Sequence, residues 1–416
     1  MKDGSPVPDA LSRPELTSRL ELSTRYSGLS PAQERRLIGA ARDARPVEGL
    51  THLFYRYPAR FSPVLAAAAV ETLSEPGNLV GDPFMGGGTT LVEAMAAGRK
   101  TWGVDISTLA SFVTTAKTLM LNERSIREYE LAMAAIADSI LMSREEPDFA
   151  AWTDAGYFRN LDGPDHQPIR KALAQGVAGA AAIDDPHLET LARCAVLRTA
   201  QWALEARRKP PSVEQFRQKL RASSNVIATG ARHFAVAARG AAPATVIGRP
   251  SQGIDADERI TSMGAPRLLL TSPPYPGVHV LYHRWQVGGR RETPAPFFIA
   301  NALDGSGNVY YTMGGRNKPG LPRYFADLEL SLRSLAALAD ARTSLVQVVA
   351  FAQPEWQLPK YLEAAASAGW MEFQLDMLRD EDDGRLWRTV PNRKWYADQR
   401  GTTSSAQEVV LFHRKY

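Results

Sequence analysis

The chain has 416 residues, 44% hydrophobic and 23% charged, with a net charge of +4 at pH 7; this excludes a disordered or fibrous chain and allows one to three globular domains. No apolar run approaches the roughly 20 residues of a membrane helix, and the opening stretch MKDGSPVPDALSRPEL lacks the apolar core of a signal peptide. The single cysteine, Cys194, excludes an internal disulfide and any multi-cysteine metal site, so a cytoplasmic protein away from membranes is expected.

Residues 1–48 are polar and interrupted by proline. Ser12-Arg13-Pro14-Glu15 and Ser30-Pro31-Ala32-Gln33 each set a hydroxyl three residues before Glu or Gln, the capping-box pattern of a helix start, which predicts a short helical extension. SPVLAAAAVETLS (62–74) predicts a helix with Ser62 as its cap and Pro63 in its first position. NLVGDPF then reads as a strand, three glycines follow, and TTLVEAMAA reads as a helix ended by Gly98. KTWGVDIS reads as a second strand that closes on an acid. Strand, Gly-rich turn, helix, strand and acid open a doubly wound α/β fold.

From 121 to 244 the chain becomes Ala- and Arg-rich with helical spacing. In LETLARCAVLRTAQWALEARR, Leu188, Leu191, Ala195, Val196 and Thr199 share one face. These residues predict a helical insertion with its own core, dividing an α/β domain into 49–120 and 245–416. Strand patterns return at ATVIG, PRLLLTS and SLVQVVAFA, helices are expected at 323–340 and PKYLEAAASAG, and WMEFQLDML and EVVLFHRK close the chain as strands. The expected fold class is α/β, a Rossmann-like doubly wound sheet with a C-terminal antiparallel strand and a large helical insertion.

GDPFMGGGTT (81–90) places Gly86, Gly87 and Gly88 at a strand-to-helix turn, where backbone N–H groups can approach a ligand closely. A phosphate loop would need lysine directly after Gly86, where Gly87 stands; a dinucleotide fingerprint would need glycine at 91, where Leu91 stands. Asp105, at the end of the next strand, is placed to accept hydrogen bonds from both hydroxyls of a ribose. Asp82, at the strand tip, could hold a cationic amino group. A nucleoside with an amino-acid tail in place of phosphates fits this set, and S-adenosylmethionine is such a molecule. The same residues also read, without any ligand, as a Gly-rich turn with a helix-capping aspartate.

LLLTSPPYPG (268–277) carries a strand that stops at two prolines. Pro273 and Pro274 have no N–H and fixed φ, so the ladder cannot continue and their carbonyls point in set directions. With the Ser272 oxygen and the flat face of Tyr275, the group offers what an exocyclic amino group of a nucleobase needs: acceptors for two hydrogens and a stacking surface. A plain turn is the alternative.

DPFMGGGTTLVEAMAAG together with TSPPY resembles the S-adenosylmethionine-dependent amino-methyltransferases of DNA, which make N6-methyladenine or N4-methylcytosine; HLFYRYPARFSP (52–63) resembles the family's motif ahead of the cofactor turn. The resemblance covers about 50–120 and 265–350. It implies Ser272, Pro273, Pro274 and Tyr275 as the catalytic group. It implies Asp82, Pro83, Phe84, Gly86, Gly88, Thr89, Asp105, Ile106 and Thr271 as cofactor contacts, with S-adenosylhomocysteine as product. Many relatives carry an acid at the end of the third strand; here VIGRPSQG has Arg249 and Ser251, with Asp255 further on. Serine at 272 leans towards cytosine N4 over adenine N6. The insertion, 121–244, is expected to help recognise the target.

Double-stranded DNA is the expected partner, with restriction or defence-system proteins as cognate partners. Three stretches mix basic and aromatic residues suited to phosphates and unpaired bases. They are 279–291 (His279, His283, Arg284, with Tyr282 and Trp285), 314–323 (Arg316, Lys318) and 385–400 (Arg388, Arg393, Lys394, with Trp387, Trp395 and Tyr396). His279 and His283 have helical metal-ligand spacing but no third ligand, so no metal is expected. The other readings are an RNA base methyltransferase on the same fold and a non-catalytic binding module.

Overall fold

The computed structural model describes residues 25–57, 61–144, 149–276, 284–289, 291–303, 313, 320–381, 383–389 and 407–415. The chain enters at β1 (Arg25–Tyr26) and turns into α1 (Pro31–Arg42), where Ser30 and Gln33 form the expected capping box. After α2 (Pro63–Leu73) come β2 (Leu79–Asp82), α3 (Thr89–Ala96), β3 (Lys100–Asp105) and α4 (Thr108–Thr118). Ser62 makes no side-chain cap on α2, and Pro63 alone marks its start. Gly98, at φ +75°, follows α3 as the sequence predicts.

The Ala-rich stretch folds into α5 (Glu123–Ser139), α6 (Phe149–Asp154), α7 (Gln167–Ala181), α8 (Pro186–Leu204) and α9 (Val213–Ala237). Then follow β4 (Thr245–Gly248), α10 (Glu258–Thr261), β5 (Leu268–Thr271), the hairpin β6 (Trp285–Val287) and β7 (Arg291–Thr293), and α11 (Ala295–Ala300). The C-terminal part is α12 (Gly320–Leu338), β8 (Ser344–Val349), α13 (Pro354–Ser367), β9 (Trp370–Gln374), β10 (Leu386–Thr389) and β11 (Gln407–Lys415).

The main sheet runs β1-β9-β11-β8-β5-β2-β3-β4, with β10 beside β11. Pairing is parallel from β4 to β8, and β11 lies antiparallel between β8 and β9. This is the expected Rossmann-like α/β sheet with its antiparallel C-terminal strand. Strand order turns between β2 and β5, so their carboxyl ends border the crevice where open α/β sheets hold ligands. The central strands are buried on both faces, as their unbroken apolar runs require.

Four features differ from the sequence expectation. The N-terminal segment contributes strand as well as helix, because β1 adds parallel to β9 and covers an otherwise unpaired edge. Helix α13 starts at Pro354 and runs through Pro359, whose missing N–H leaves the Glu355 carbonyl at an exposed position where water can take it. Strand β9 is shorter than WMEFQLDML, giving way at Asp376–Leu378 to a 3₁₀ turn. The helices 123–237 also close no core of their own. Their buried residues, among them Met133, Leu173, Leu197 and Ile227, share one cluster with Phe54, Tyr55, Tyr57 and Val113 of the α/β part and Phe297 of α11. Helix α8 is buried nearly all round rather than on one face. Among the described residues no helix is long and apolar enough to cross a membrane.

Candidate active site

The glycine turn is built from below. Helix α4 sends two side chains under it: Thr114 Oγ1 donates to the Gly86 carbonyl at 3.1 Å, and the buried Lys117 Nζ donates to the Gly87 carbonyl at 2.7 Å. The amides of the turn are also engaged: the Gly86 N–H donates to Asp105 Oδ2 at 2.9 Å and the Gly88 N–H to the Met85 carbonyl at 2.7 Å. Tyr57 packs from the other side so closely that a Cβ on Gly87 would fall 2.7 Å from its Cβ. Gly88 sits at φ +72°, and a Cβ there would lie 2.8 Å from Thr114 Cγ2. Gly88→Ala is therefore expected to lose about 2 kcal/mol or more of stability, joining left-handed strain to a backbone-anchored clash. Gly240→Ala, at φ +80° in open space, should lose about 1 kcal/mol. Thermal melts of the two variants check this; equal losses would mean that Thr114 yields freely.

Two carboxylates flank the turn, Asp82 buried and Asp105 half-buried. Asp82 ends β2, and its Oδ1 accepts from Thr271 Oγ1 of β5 at 2.6 Å and from the Phe84 N–H at 3.1 Å. Asp105 ends β3 and accepts from the Ser107 N–H at 2.8 Å as well as from Gly86. Burial pushes Asp82 up to about 6, against the hydrogen bonds from Thr271, Thr90 and Phe84 and with help from the charge of Asp105. Burial likewise pushes Asp105 up to about 6, against its two backbone donors. Both carboxylates keep lone pairs beyond those bonds.

These residues open on a cavity of about 290 Å³ at the carboxyl ends of the strands. Of the predicted cofactor contacts, Pro83, Phe84, Gly86, Thr89, Asp105 and Ile106 lie on its wall; Asp82, Gly88 and Thr271 stand just behind it. Ile106 leaves 51% of its surface open, an apolar plate at the cavity beside Asp105. Ser272 and Pro274 of the Pro-Pro-Tyr motif line the same cavity, whereas Pro273 and Tyr275 do not. The two motifs, 190 residues apart in sequence, meet because β2 and β5 are neighbours.

Tyr275 departs from the expected stacking plate: its ring is buried, 4% exposed, and its hydroxyl donates to Glu408 Oε1 at 2.7 Å. Ser272 Oγ lies 3.0 Å from that hydroxyl and donates to the Val348 carbonyl at 2.9 Å. The Pro274 carbonyl already accepts from Tyr324 Oη of α12 at 2.7 Å. At the end of β4, Arg249, Pro250, Ser251 and Gln252 form the wall where relatives carry an acid. Arg249 is held by Asp257 at 3.0 Å, and Ser251 bonds Ser331 of α12 at 3.0 Å. Asp255 is not on the wall.

Two residues expected at a nucleic-acid surface are inside. Arg388 stands opposite Glu408 in the β10–β11 ladder, both 3% exposed, with Nε 3.3 Å from Glu408 Oε2. Arg284 is buried beside Glu292 at 3.7 Å. Trp285, from the same stretch, is core, donating to the Tyr55 hydroxyl at 2.9 Å. Alternation explains Arg388: in a short strand every second residue turns inward, whatever its charge; Arg284 lies just ahead of β6 and is buried together with its neighbour Trp285. His279, His283, Arg316, Lys318, Arg393 and Lys394 lie outside the described residues. Among the described residues no group of three His, Cys, Asp or Glu side chains could hold a metal.

Sequence reasoning missed Tyr57, Lys117, Asp327, Ser331 and Glu408. Lys117 had a signal, a lysine inside an otherwise small and apolar helical run; Glu408 likewise stands alone before VVLF. Tyr57 belongs to the HLFYRYPARFSP segment, which α8 clamps: Gln201 bonds the Arg56 carbonyl at 3.0 Å, Arg198 bonds the Leu53 carbonyl, and Glu205 pairs with Arg56 at 2.6 Å. The insertion thus supports one wall of the cavity.

Residues 31–115 match the sequence model of a DNA methylase family, the N6 and N4 methyltransferases. The Type II methyltransferase M.MvaI of Kocuria varians is 40% identical over 72 residues, 17% of this chain and 16% of that protein, so the match spans about a sixth of the relative's length. Among solved structures, the rRNA methyltransferase aviRa from Streptomyces viridochromogenes aligns over 87% of this chain and 89% of its own at 11% identity and a TM-score of 0.30. A SAM-dependent methyltransferase from Agrobacterium tumefaciens aligns over 84% of this chain and 59% of its own at 11% identity and a TM-score of 0.29. The glycine turn, Asp82 and Asp105 all lie inside residues 31–115, the stretch that is similar to the DNA methylase family.

Proposed function

We propose that this chain is an S-adenosylmethionine-dependent DNA methyltransferase acting on an exocyclic base amino group, cytosine N4 in preference to adenine N6, within a restriction-modification or phage-defence system. The observation that carries the reading is the shared cavity: Asp105 beside the glycine turn and Ser272 at the end of β5 open on the same space.

The residues present fit the cofactor. Among the described residues no lysine lines the cavity above the turn, and Lys117 is tied beneath it to the Gly87 carbonyl. Two carboxylates, one on the wall and one behind it, favour a ligand that brings positive charge and hydroxyl donors. Asp105 would take the ribose hydroxyls, Ile106 would cover the adenine, and Asp82, behind the wall, would act on the amino-acid end through its charge. When bound, the cofactor supplies a methyl group on a positively charged sulfur. The chain does the rest: Ser272 Oγ and the second lone pair of the Pro274 carbonyl would accept the hydrogens of the base amino group and fix its lone pair towards the methyl. The base has to leave the duplex to reach them.

A thiolate route to carbon 5 of cytosine has no support, because Cys194 is fully buried in α8 and burial pushes its thiol up to about 12. For DNA contacts the proposal rests on the sequence stretches around His279 and His283, Arg316 and Lys318, and Arg393 and Lys394. Arg323, exposed at the cavity wall, joins them. Helices 121–244 would bear the target-recognition surface.

The raised carboxylates set a pH dependence. Ligand binding favours their ionised forms, so cofactor affinity should rise as pH climbs through about 6 and level off above 7. Stability of the ligand-free chain runs the other way: the folded state holds these protons more tightly than the unfolded one, so their contribution falls as pH rises from about 4 to 6. Calorimetric titration across pH 5–8 checks the first sign, and a flat affinity would contradict it. The functional reading itself is tested by incubating the chain with tritiated S-adenosylmethionine and either double-stranded DNA or total RNA. Label in DNA is expected. Label in RNA alone would favour an RNA enzyme, and cofactor binding without transfer would favour a binding module.

A further inference from the structure

The structure assigns Glu408, held by Arg388, as a positioning residue that fixes which way the proton points at Ser272; this rests on the reading of Ser272 as the amino-group acceptor. An ionised carboxylate only accepts, so the 2.7 Å contact places the Tyr275 proton on the Glu408 side. Tyr275 then has no proton to give Ser272, although the two oxygens are 3.0 Å apart. A carbonyl also only accepts, so the 2.9 Å contact to Val348 uses the single proton of Ser272. Both lone pairs of Ser272 Oγ are thereby kept from protein donors, on a residue that lines the cavity. Reversal of one bond would reverse the chain: a Tyr275 proton turned to Ser272 would occupy a lone pair meant for the base.

The carboxylate is well placed for this role. Glu408 is the second residue of β11 and directly precedes Val409, the antiparallel partner of Val349, so it lies at the carboxyl end of β8. Arg388 is its ladder partner, and both side chains are 3% exposed. Arginine has only donors, so it demands an oxygen from position 408. Arg388 Nε and Nη1 and Glu408 Oε2 have no well-formed hydrogen bond among the described residues, so the Oε2 oxygen, 3.3 Å from Nε, is what faces the guanidinium.

Glu408→Gln makes the test sharp. Arg388 will take the amide oxygen, which turns the NH₂ towards the Tyr275 oxygen and drives the Tyr275 proton onto Ser272. The expected result is a fall in kcat of about tenfold or more, with cofactor Kd and DNA KM within about threefold of wild type. Tyr275→Phe is measured beside it as the reference: it deletes the relay, leaves Ser272 bonded to Val348, and sets the kcat that the double variant should reach. The double variant is decisive: with no phenolic proton to turn, Glu408→Gln should cost no further kcat, so its loss should be rescued to the level of Tyr275→Phe. A merely structural role predicts a lower Tm and no such rescue. Losses that add, or a kcat of Glu408→Gln near wild type, overturn the proposal. If Glu408→Gln does not fold, the paired Arg388→Met and Glu408→Leu variant, which removes both buried charges together, makes the same comparison: the phenol loses its carboxylate acceptor, so a kcat loss that Tyr275→Phe cancels supports the proposal and additive losses overturn it. A wild-type protein that methylates no DNA sinks the functional reading and this proposal with it, whereas additive losses in an active enzyme sink only the proposal.

Discussion

Replacing Ser272 with alanine is expected to cut methyl transfer to DNA by about a hundredfold while leaving cofactor affinity within about twofold. The magnitude is that of one preorganised hydrogen bond in a water-poor site. The Ser272 hydroxyl bonds Val348 and approaches Tyr275, neither of which is assigned to the cofactor. The variant removes the acceptor and leaves the Val348 carbonyl without that donor, a stability loss of about 1 kcal/mol. Single-turnover transfer with saturating cofactor, beside calorimetric cofactor binding, separates the two effects. Loss of binding and transfer in equal measure would place Ser272 in the cofactor pocket instead.

Asp105→Asn has the opposite signature. The carboxylate is the charged group on the wall beside the glycine turn, and its two oxygens already hold the Gly86 and Ser107 amides. An amide at this position can present only one oxygen, so one backbone N–H meets an NH₂ group. Charge-assisted hydrogen bonds to both ribose hydroxyls weaken at the same time. Losing roughly 3 kcal/mol in all, at about 1.5–3 kcal/mol for each bond to a charged group, corresponds to a cofactor Kd raised about a hundredfold. The rise of affinity through pH 6 should also shrink, since one of the two raised carboxylates is gone. Unchanged affinity would mean that the ribose is bound elsewhere.

What could be read from the sequence was local. Asp82, the three glycines and Asp105 are bound together by one βαβ unit, and TSPPY carries its own strand end, so spacing alone located both. Which atoms face the cavity was not local. Asp82 stands behind the wall because Thr271 of the neighbouring strand takes its oxygen, and Tyr275 turns away because Glu408, 133 residues later, takes its hydroxyl. Arg388 was misread for the same reason: a basic residue among aromatics looks like a nucleic-acid contact until its ladder partner proves to be a buried glutamate. The two-residue alternation of Leu386 and Arg388 was the available clue. The shared core of helices 123–237 with Phe54 and Tyr57 also escaped, because helical periodicity shows that a face is buried but not against what.

The most direct measurement is the identity of the modified nucleoside. Double-stranded DNA treated with the chain and S-adenosylmethionine, digested and analysed by mass spectrometry, is expected to yield N4-methylcytosine, or N6-methyladenine if the base preference is reversed. A yield of 5-methylcytosine, or no methylated nucleoside from DNA, would contradict transfer to an amino group held by Ser272.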